Sequence, residues 1–199
     1  AQIIASNNLD ENIIKSLKAQ GAKIDIWAVG TKLVTCDDQP SLGGVYKLSS
    51  VKDNGEGWTP VVKISEQAVK ISNPGLLNFR RFFQRSEKGI EYIADMIYDE
   101  ESIENGEDFV IVDPVDHTRR KLIDRNTAFE DLLKPIFRKG LFVYDRVPHD
   151  QARSYSSEQL KGFHPGIKRL LNPHEYPVGL EKNLYELKTR LILKARGFE

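Results

Sequence analysis

Over the first 33 residues, apolar positions fall in short blocks, and each block has its own period. Gln2-Ile3-Ile4-Ala5 is a brief apolar run that ends in Ser6-Asn7-Asn8. Residues 9–20 set Leu9, Ile13 and Leu17 on one helical face, with Asn8 and Glu11 at capping-box spacing and Gly21 as the stop. A second apolar run, Ile24-Asp25-Ile26-Trp27-Ala28-Val29, ends abruptly in Gly30-Thr31. A buried strand that delivers its last residues to a ligand-binding turn has this form. The pattern predicts a strand, a helix and a second, parallel strand. Parallel neighbours end on one edge, so Ser6, Asn7, Asn8, Gly30 and Thr31 are expected to lie together. Hydroxyls, amides, a helix N-terminus and a glycine open to backbone approach make a phosphate cradle. They equally make an ordinary αβ unit whose turns only reverse the chain.

The period changes after Thr31. Residues 32–39 are polar and end at Pro40, which predicts a short helical turn or loop. Gly43-Gly44 opens a predicted strand over 45–52, Asn54-Gly55 with Gly57 marks a hairpin, and 59–64 returns. After a turn at Asn73-Pro74-Gly75, residues 78–84 and 91–98 read as strands joined across Ser86-Glu87-Lys88-Gly89. The acidic stretch 99–108 reads as a solvated loop, 109–112 as a short buried strand, and 119–123 as its neighbour. Residues 136–144 form one more extended segment, broken by Gly140. Near the end, 156–162 and 165–171 predict short helical pieces, and Leu180, Leu184, Leu187 and Leu191 mark one long amphipathic helix. That stripe suits core or subunit contact. The expected class is α/β, in segments 1–48, 49–148 and 149–199: a βα start, a mostly antiparallel β region and C-terminal helices.

Composition narrows the function classes. The 199 residues are 40% hydrophobic, and Lys plus Arg equals Asp plus Glu at 29 each. Zero net charge gives no basic footprint for nucleic acid, while a local polyphosphate site stays possible. Cys36 is the only cysteine. An intramolecular disulfide is thereby excluded and a cytoplasmic home favoured, with Cys36 read as a small hydrophobe rather than a reactive thiol. No apolar run reaches the length of a membrane span, and no signal-peptide pattern is seen. The chain opens directly on a strand, without an initiator Met or a preceding cap, and so reads as the back portion of something larger.

Common catalytic signatures do not fit. Gly43-Gly44-Val45-Tyr46-Lys47 lacks the spacing of a phosphate-binding P-loop and precedes a strand. His117, His149, His164 and His174 are not at zinc-ligand spacing, and no metal site is assigned. Asp37-Asp38 and Asp113-Pro114-Val115-Asp116 either hold a cation or, more commonly for such residues, cap turns. Arg80-Arg81 and Arg119-Arg120 either meet a phosphate or guard an exposed strand edge, and the edge is the expectation.

Five blocks nevertheless carry a family resemblance. Ser6-Asn7-Asn8-Leu9-Asp10-Glu11 comes first, followed by Ile24-Asp25-Ile26-Trp27 through Val29-Gly30-Thr31-Lys32-Leu33. Gln39-Pro40 with Leu42-Gly43-Gly44-Val45-Tyr46-Lys47-Leu48 is the third. Lys70-Ile71-Ser72-Asn73-Pro74-Gly75 and Asn172-Pro173-His174-Glu175-Tyr176-Pro177-Val178 complete the set. In this order they resemble nicotinate phosphoribosyltransferase over nearly the whole chain. The resemblance implies the C-terminal part of an irregular α/β (TIM-like) barrel, with 1–48 as its last βα units, joined to a mostly β domain. It implies phosphoribosyl transfer from phosphoribosyl pyrophosphate (PRPP) to nicotinate, giving nicotinate mononucleotide for NAD biosynthesis, with ATP hydrolysis, Mg2+ and a homodimer.

Under that resemblance Thr31 matches the position that contacts the PRPP phosphate, Gly30 supplies backbone approach, and Ser6, Asn7 and Asn8 match the adjacent loop. Three departures stand out: Asn8 where the family usually has Asp, Asp37 where an aromatic is common, and Leu76-Leu77 where basic residues often follow Asn-Pro-Gly. The first bears on Mg2+ or ribose contacts, the last on the ATP-linked side. The phosphorylated histidine, the groups that hold nicotinate and an Asp-bearing loop are expected upstream of residue 1, so no catalytic residue is assigned here. Alternatives are a nicotinamide or quinolinate phosphoribosyltransferase, or a non-catalytic module docking through its β-rich middle and leucine-striped helix.

Overall fold

The computed structural model describes residues 1–35, 44–53, 57–87, 89–103, 106–169 and 171–198. Cys36, Asp37, Asp38, Gln39-Pro40, Leu42-Gly43 and the Asn54-Gly55 turn lie outside them. The chain divides into two compact units, Ala1–Tyr46 and Lys47–Glu199. Among the described residues no helix is long and apolar enough to cross a membrane.

In the first unit β1 (Ile4–Ser6), α1 (Glu11–Ala19), β2 (Ile26–Ala28) and α2 (Thr31–Thr35) follow in order. β1 and β2 pair in parallel, as the pattern predicts, with Ile4 opposite Ile26 and Ser6 opposite Ala28. The helix cap is Asp10 rather than Asn8. Asp10 has the extended backbone a cap requires, and its carboxylate accepts from the N–H groups of Asn12 and Ile13 at 3.0 and 2.9 Å. Asn8 is in the left-handed region at φ 51°, two residues too early to reach those donors. The expected buried strand is also corrected, because Ile4 and Ile26 are exposed. Within the unit, two short parallel strands and α1 give a sheet that lacks the cover on both faces that parallel sheets normally have. Among its described residues Leu9 is the buried apolar side chain.

The second unit opens with a small antiparallel ribbon, β3 (Ser50–Lys52) with β4 (Trp58–Pro60). Its strands are shorter than the predicted 45–52 and 59–64. The main sheet comprises β5 (Leu77–Ser86), β6 (Gly89–Asp99), β7 (Phe109–Val112), β8 (Arg120–Ile123), β9 (Phe129–Asp131) and a late strand, Val178–Glu181. β10 (Phe137–Arg138) and β11 (Leu141–Phe142) form a separate hairpin, turned by Lys139 and Gly140 at positive φ, so 136–144 is two strands and not one. The late strand is therefore β12, and the order across the sheet is β8-β7-β12-β6-β5-β9. β12 runs parallel to β6 and antiparallel to β7; the other pairings are antiparallel. Phe82, Ala94, Met96, Tyr98, Phe109, Ile111 and Ile123 form the buried cluster.

The helices are α3 (His149–Lys161) and α4 (Lys182–Ala195), with α4 packed across β7 and β12. α3 begins seven residues before the predicted 156, because its first half is polar and shows no apolar period. Leu180 belongs to β12 and not to the leucine-striped helix. Glu181 keeps extended backbone and its carboxylate accepts from the Leu184 N–H, which starts α4 after the strand has ended. Gly179 fits β12 beside β7, since a Cβ there would sit 2.4 Å from the Val112 carbonyl oxygen. The acidic stretch is only partly a solvated loop: Asp99 closes β6 as a buried carboxylate that accepts from the Leu76 N–H, and Ile103 packs on the core.

Candidate functional site

The parallel register of β1 and β2 decides where the predicted site residues fall. With Ser6 opposite Ala28, the segments that follow both strands leave from one edge. Asn7 at φ 76° and Asn8 at φ 51° hold left-handed backbone, which asparagine adopts more readily than most residues. On the other strand the Gly30 carbonyl accepts from the N–H groups of Leu33 and Val34, and Thr31 is the first residue of α2. A Cβ on Gly30 would meet nothing within 4 Å, so the space over it is open. Ser6, Asn7, Asn8, Gly30 and Thr31 are all exposed, and the side chains of Ser6, Asn7, Asn8 and Thr31 make no hydrogen bond among the described residues. Among the described residues this edge offers hydroxyl and amide groups, and Oδ1 of the nearby Asp10 is taken up by the first turn of α1. Asp25 in turn accepts from the Ile3 N–H at 2.7 Å.

Two of the singled-out blocks meet in the second unit. The Lys47 ammonium donates to the Lys70 carbonyl at 2.6 Å, and Lys188 of α4 donates to Asn73 Oδ1 at 2.9 Å. Burial, with the Lys47 charge nearby, lowers the Lys188 pKa.

Arg80 and Arg81 are not edge guards. β5 lies between β6 and β9, and successive residues of a strand point to opposite faces. Arg80 is buried, forks onto Asp131 at 2.8 and 3.0 Å, and lies 3.8 Å from the Phe129 ring centre and 4.7 Å from that of Tyr98. Burial opposes its charge, yet Asp131 outweighs burial and raises its pKa. On the other face Arg81 forks onto Asp95 at 2.8 and 2.7 Å, and the Tyr176 hydroxyl donates to the same carboxylate at 2.9 Å. Gln159 of α3 accepts from Arg81 at 3.0 Å and from the Tyr92 hydroxyl at 2.9 Å. The Asp95 hydrogen bonds raise the Arg81 pKa, while burial, reinforced by the Asp95 charge, pushes the Tyr176 phenol up. Sequence reading missed this network. Its one local signal was a lone carboxylate, Asp95, inside the apolar run of β6.

Asp113-Pro114-Val115-Asp116 caps a turn: one Asp113 oxygen accepts from the N–H groups of Val115 and Asp116 at 2.8 and 2.9 Å. Those backbone donors, Asp116 foremost, hold the Asp113 carboxyl below its usual range. Arg120 does stand on an edge strand, β8, whereas Arg119 forks onto Glu175. Among the described residues no group of three or more His, Cys, Asp or Glu is placed to hold a metal ion.

A family model for the nicotinate phosphoribosyltransferase C-terminal domain matches residues 78–188. The chain is 37% identical over 199 residues to a nicotinate phosphoribosyltransferase of Bacillus subtilis, covering 99% of this chain and 40% of that protein. It is 32% identical to one of Dictyostelium discoideum, covering 96% of this chain and 32% of that protein. The chain thus spans about a third to two-fifths of the relatives it matches. In fold it resembles the crystal structure of human nicotinic acid phosphoribosyltransferase, with a TM-score of 0.55 at 22% identity, covering 96% of this chain and 33% of that one. The shared fold is mixed α/β, with a large mixed sheet and a few helices.

Proposed function

Since this chain belongs to the nicotinate phosphoribosyltransferase family through its C-terminal domain, we propose that it is the C-terminal portion of an enzyme forming nicotinate mononucleotide from nicotinate and PRPP. In this reading residues 1–48 are the last βα units of an α/β barrel, followed by a β-rich region to 148 and the closing segment 149–199. The edge formed by Ser6, Asn7, Asn8, Gly30 and Thr31 binds the PRPP phosphate. The observation that carries it is the register of β1 on β2, which sends both loops from one edge with unbonded side chains. Barrel enzymes commonly hold a phosphate with the loops that follow their last strands. There the Thr31 hydroxyl and the backbone beside Gly30 neutralise and orient phosphate oxygens. Departure of the diphosphate needs such charge stabilisation and positioning more than covalent help.

ATP hydrolysis, a homodimer and a cytoplasmic setting, with neither nucleic acid nor membrane as partner, complete the reading. The edge does not fit Mg2+ as a protein-held ion. Among the described residues it presents neutral amide and hydroxyl oxygens, Asn8 stands in place of the family's usual Asp, and Oδ1 of the nearby Asp10 caps α1. No step is therefore drawn through the ion from this chain's residues.

The test is nicotinate mononucleotide formation from nicotinate, PRPP and ATP, by this chain alone and with the upstream portion of a relative restored. Product is expected only from the restored protein, and Thr31→Ala in it should raise the KM for PRPP about tenfold or more, as loss of a hydrogen bond to a charged group does. Product from the chain alone would overturn the placement of the catalytic groups upstream. An unchanged KM would remove Thr31 from the phosphate site.

A further inference from the structure

The second unit carries a cleft of about 560 Å³ between the β8 end of the sheet and the segment that leads into β12. Arg119, Arg120 and Lys121 line it from one side and Glu175 and Tyr176 from the other, with Asp113 at the rim. A second hollow of about 390 Å³ shares Lys121, Glu175 and Tyr176 and extends to His164 and His174, whose rings stack 6.2 Å apart at 5°. Three cations and two carboxylates thus line the larger cleft.

The two carboxylates are not equivalent. Asp113 is committed to its own turn through the Val115 and Asp116 amides, and its second oxygen is 3.9 Å from Arg119. Glu175 comes from 56 residues away and places both oxygens on the two terminal nitrogens of Arg119. A guanidinium fork of this kind fits a carboxylate or a phosphate equally. The side chains of Arg119 and Glu175 are 52% and 64% exposed, so solvent screens the pair and little holds Glu175 in place.

The cations beside the pair are under-used. Lys121 is partly buried and lines both hollows, yet its ammonium makes no hydrogen bond or ion pair among the described residues. Arg120 gives one bond, from Nε to the His117 carbonyl at 3.1 Å, and its terminal nitrogens are open. A recess lined by a forked guanidinium, a second guanidinium and an unpaired ammonium carries one positive charge more than its two carboxylates, Asp113 and Glu175, offset.

We propose that this cleft binds the phosphoryl group of a small phosphorylated molecule, and that Glu175 is its internal stand-in. Without ligand, the Glu175 carboxylate occupies the Arg119 fork. A phosphoryl group displaces it and meets Arg119 and Lys121, which alternate onto one side of β8, with Arg120 adding charge beside them, while the rest of the molecule runs past Lys121 toward His164 and His174. This reading does not depend on the one for the β1–β2 edge.

The imidazole resonances of His164 and His174 report on the cleft in the intact chain, titrated with inorganic diphosphate and, separately, with a nucleoside monophosphate. Sodium chloride at equal ionic strength controls for screening. Saturable shifts are expected, with Glu175→Gln tightening the apparent Kd at least threefold and Arg119→Gln weakening it about tenfold. Saturation by the nucleotide at lower concentration than diphosphate would identify an organic ester as the ligand class, and the reverse an inorganic one. Diphosphate binding that Thr31→Ala weakens and Arg119→Gln leaves unchanged would overturn the proposal. Glu175 is an exposed side chain, so Glu175→Gln is expected to fold even where Arg119→Gln does not. Equal or weaker binding by it, or shifts reproduced by sodium chloride alone, would overturn the proposal.

Discussion

The two units treat their polar groups in opposite ways. In residues 47–199 strong polar groups inside the sheet are bonded to one another: Arg81 to Asp95, Asp95 to Tyr176, Gln159 to both Arg81 and Tyr92, and Arg80 to Asp131. In residues 1–46 the hydroxyls and amides of Ser6, Asn7, Asn8 and Thr31 bond to nothing described, although Asn7 and Asn8 are held in left-handed backbone. The difference separates two uses of polarity. Side chains that satisfy each other fix a fold, whereas side chains aligned on one edge and left unsatisfied are available to something outside the chain.

Breaking the satisfied network gives the largest effect. Asp95→Ala leaves the partly buried Arg81 guanidinium without its counter-charge and Tyr176 without its acceptor, and should cost about 3–5 kcal/mol in urea unfolding. A loss below about 1 kcal/mol would mean that the network is not what fixes β5 on β6. Removing the cap with Asp10→Ala should cost about 1 kcal/mol. Its signature is faster hydrogen exchange at the Asn12 and Ile13 amides, with the second unit unaffected. Thr31→Ala should leave stability within about 0.5 kcal/mol, as substitutions of unbonded surface side chains do. A larger loss would show that the edge is structural after all. The smallest effect is in acid. Asp113 titrates below the ordinary carboxylate range, so its contribution to stability is complete above the unfolded pKa and disappears as pH falls through the lower folded value. Carboxyl NMR should locate that midpoint, and Asp113→Asn should flatten that part of the pH profile.

How much of this could be read from residue order depended on whether the information was local. Phe109–Val112 was legible to the residue because four apolar positions lie between polar turns. The β5–β6 hairpin was legible from two alternating runs about one turn. β12 was not, because its four residues contain a leucine that continues the stripe of α4. Only the neighbours β6 and β7, with the close approach at Gly179, make it a strand. Arg80 and Arg81 were misread for the same reason, since whether a strand is at the edge depends on sheet order, set partly by residues fifty positions on. At the β1–β2 edge, spacing alone placed the residues, but the cap moved from Asn8 to Asp10 because it depends on backbone angles that composition does not reveal.

The insertion of β12 between β6 and β7 bears on how this protein is made. A growing chain that has reached residue 177 already contains β5, β6, β7 and β8 but not the strand that lies between β6 and β7 in the finished sheet. The four residues that fill that place leave the ribosome long after the strands they join. Until then both inner edges expose backbone groups able to pair with any neighbouring strand. A stop codon shortly before Val178 would therefore remove the centre of the sheet and not a tail. Its product should be met by chaperones and proteases as an unfinished protein.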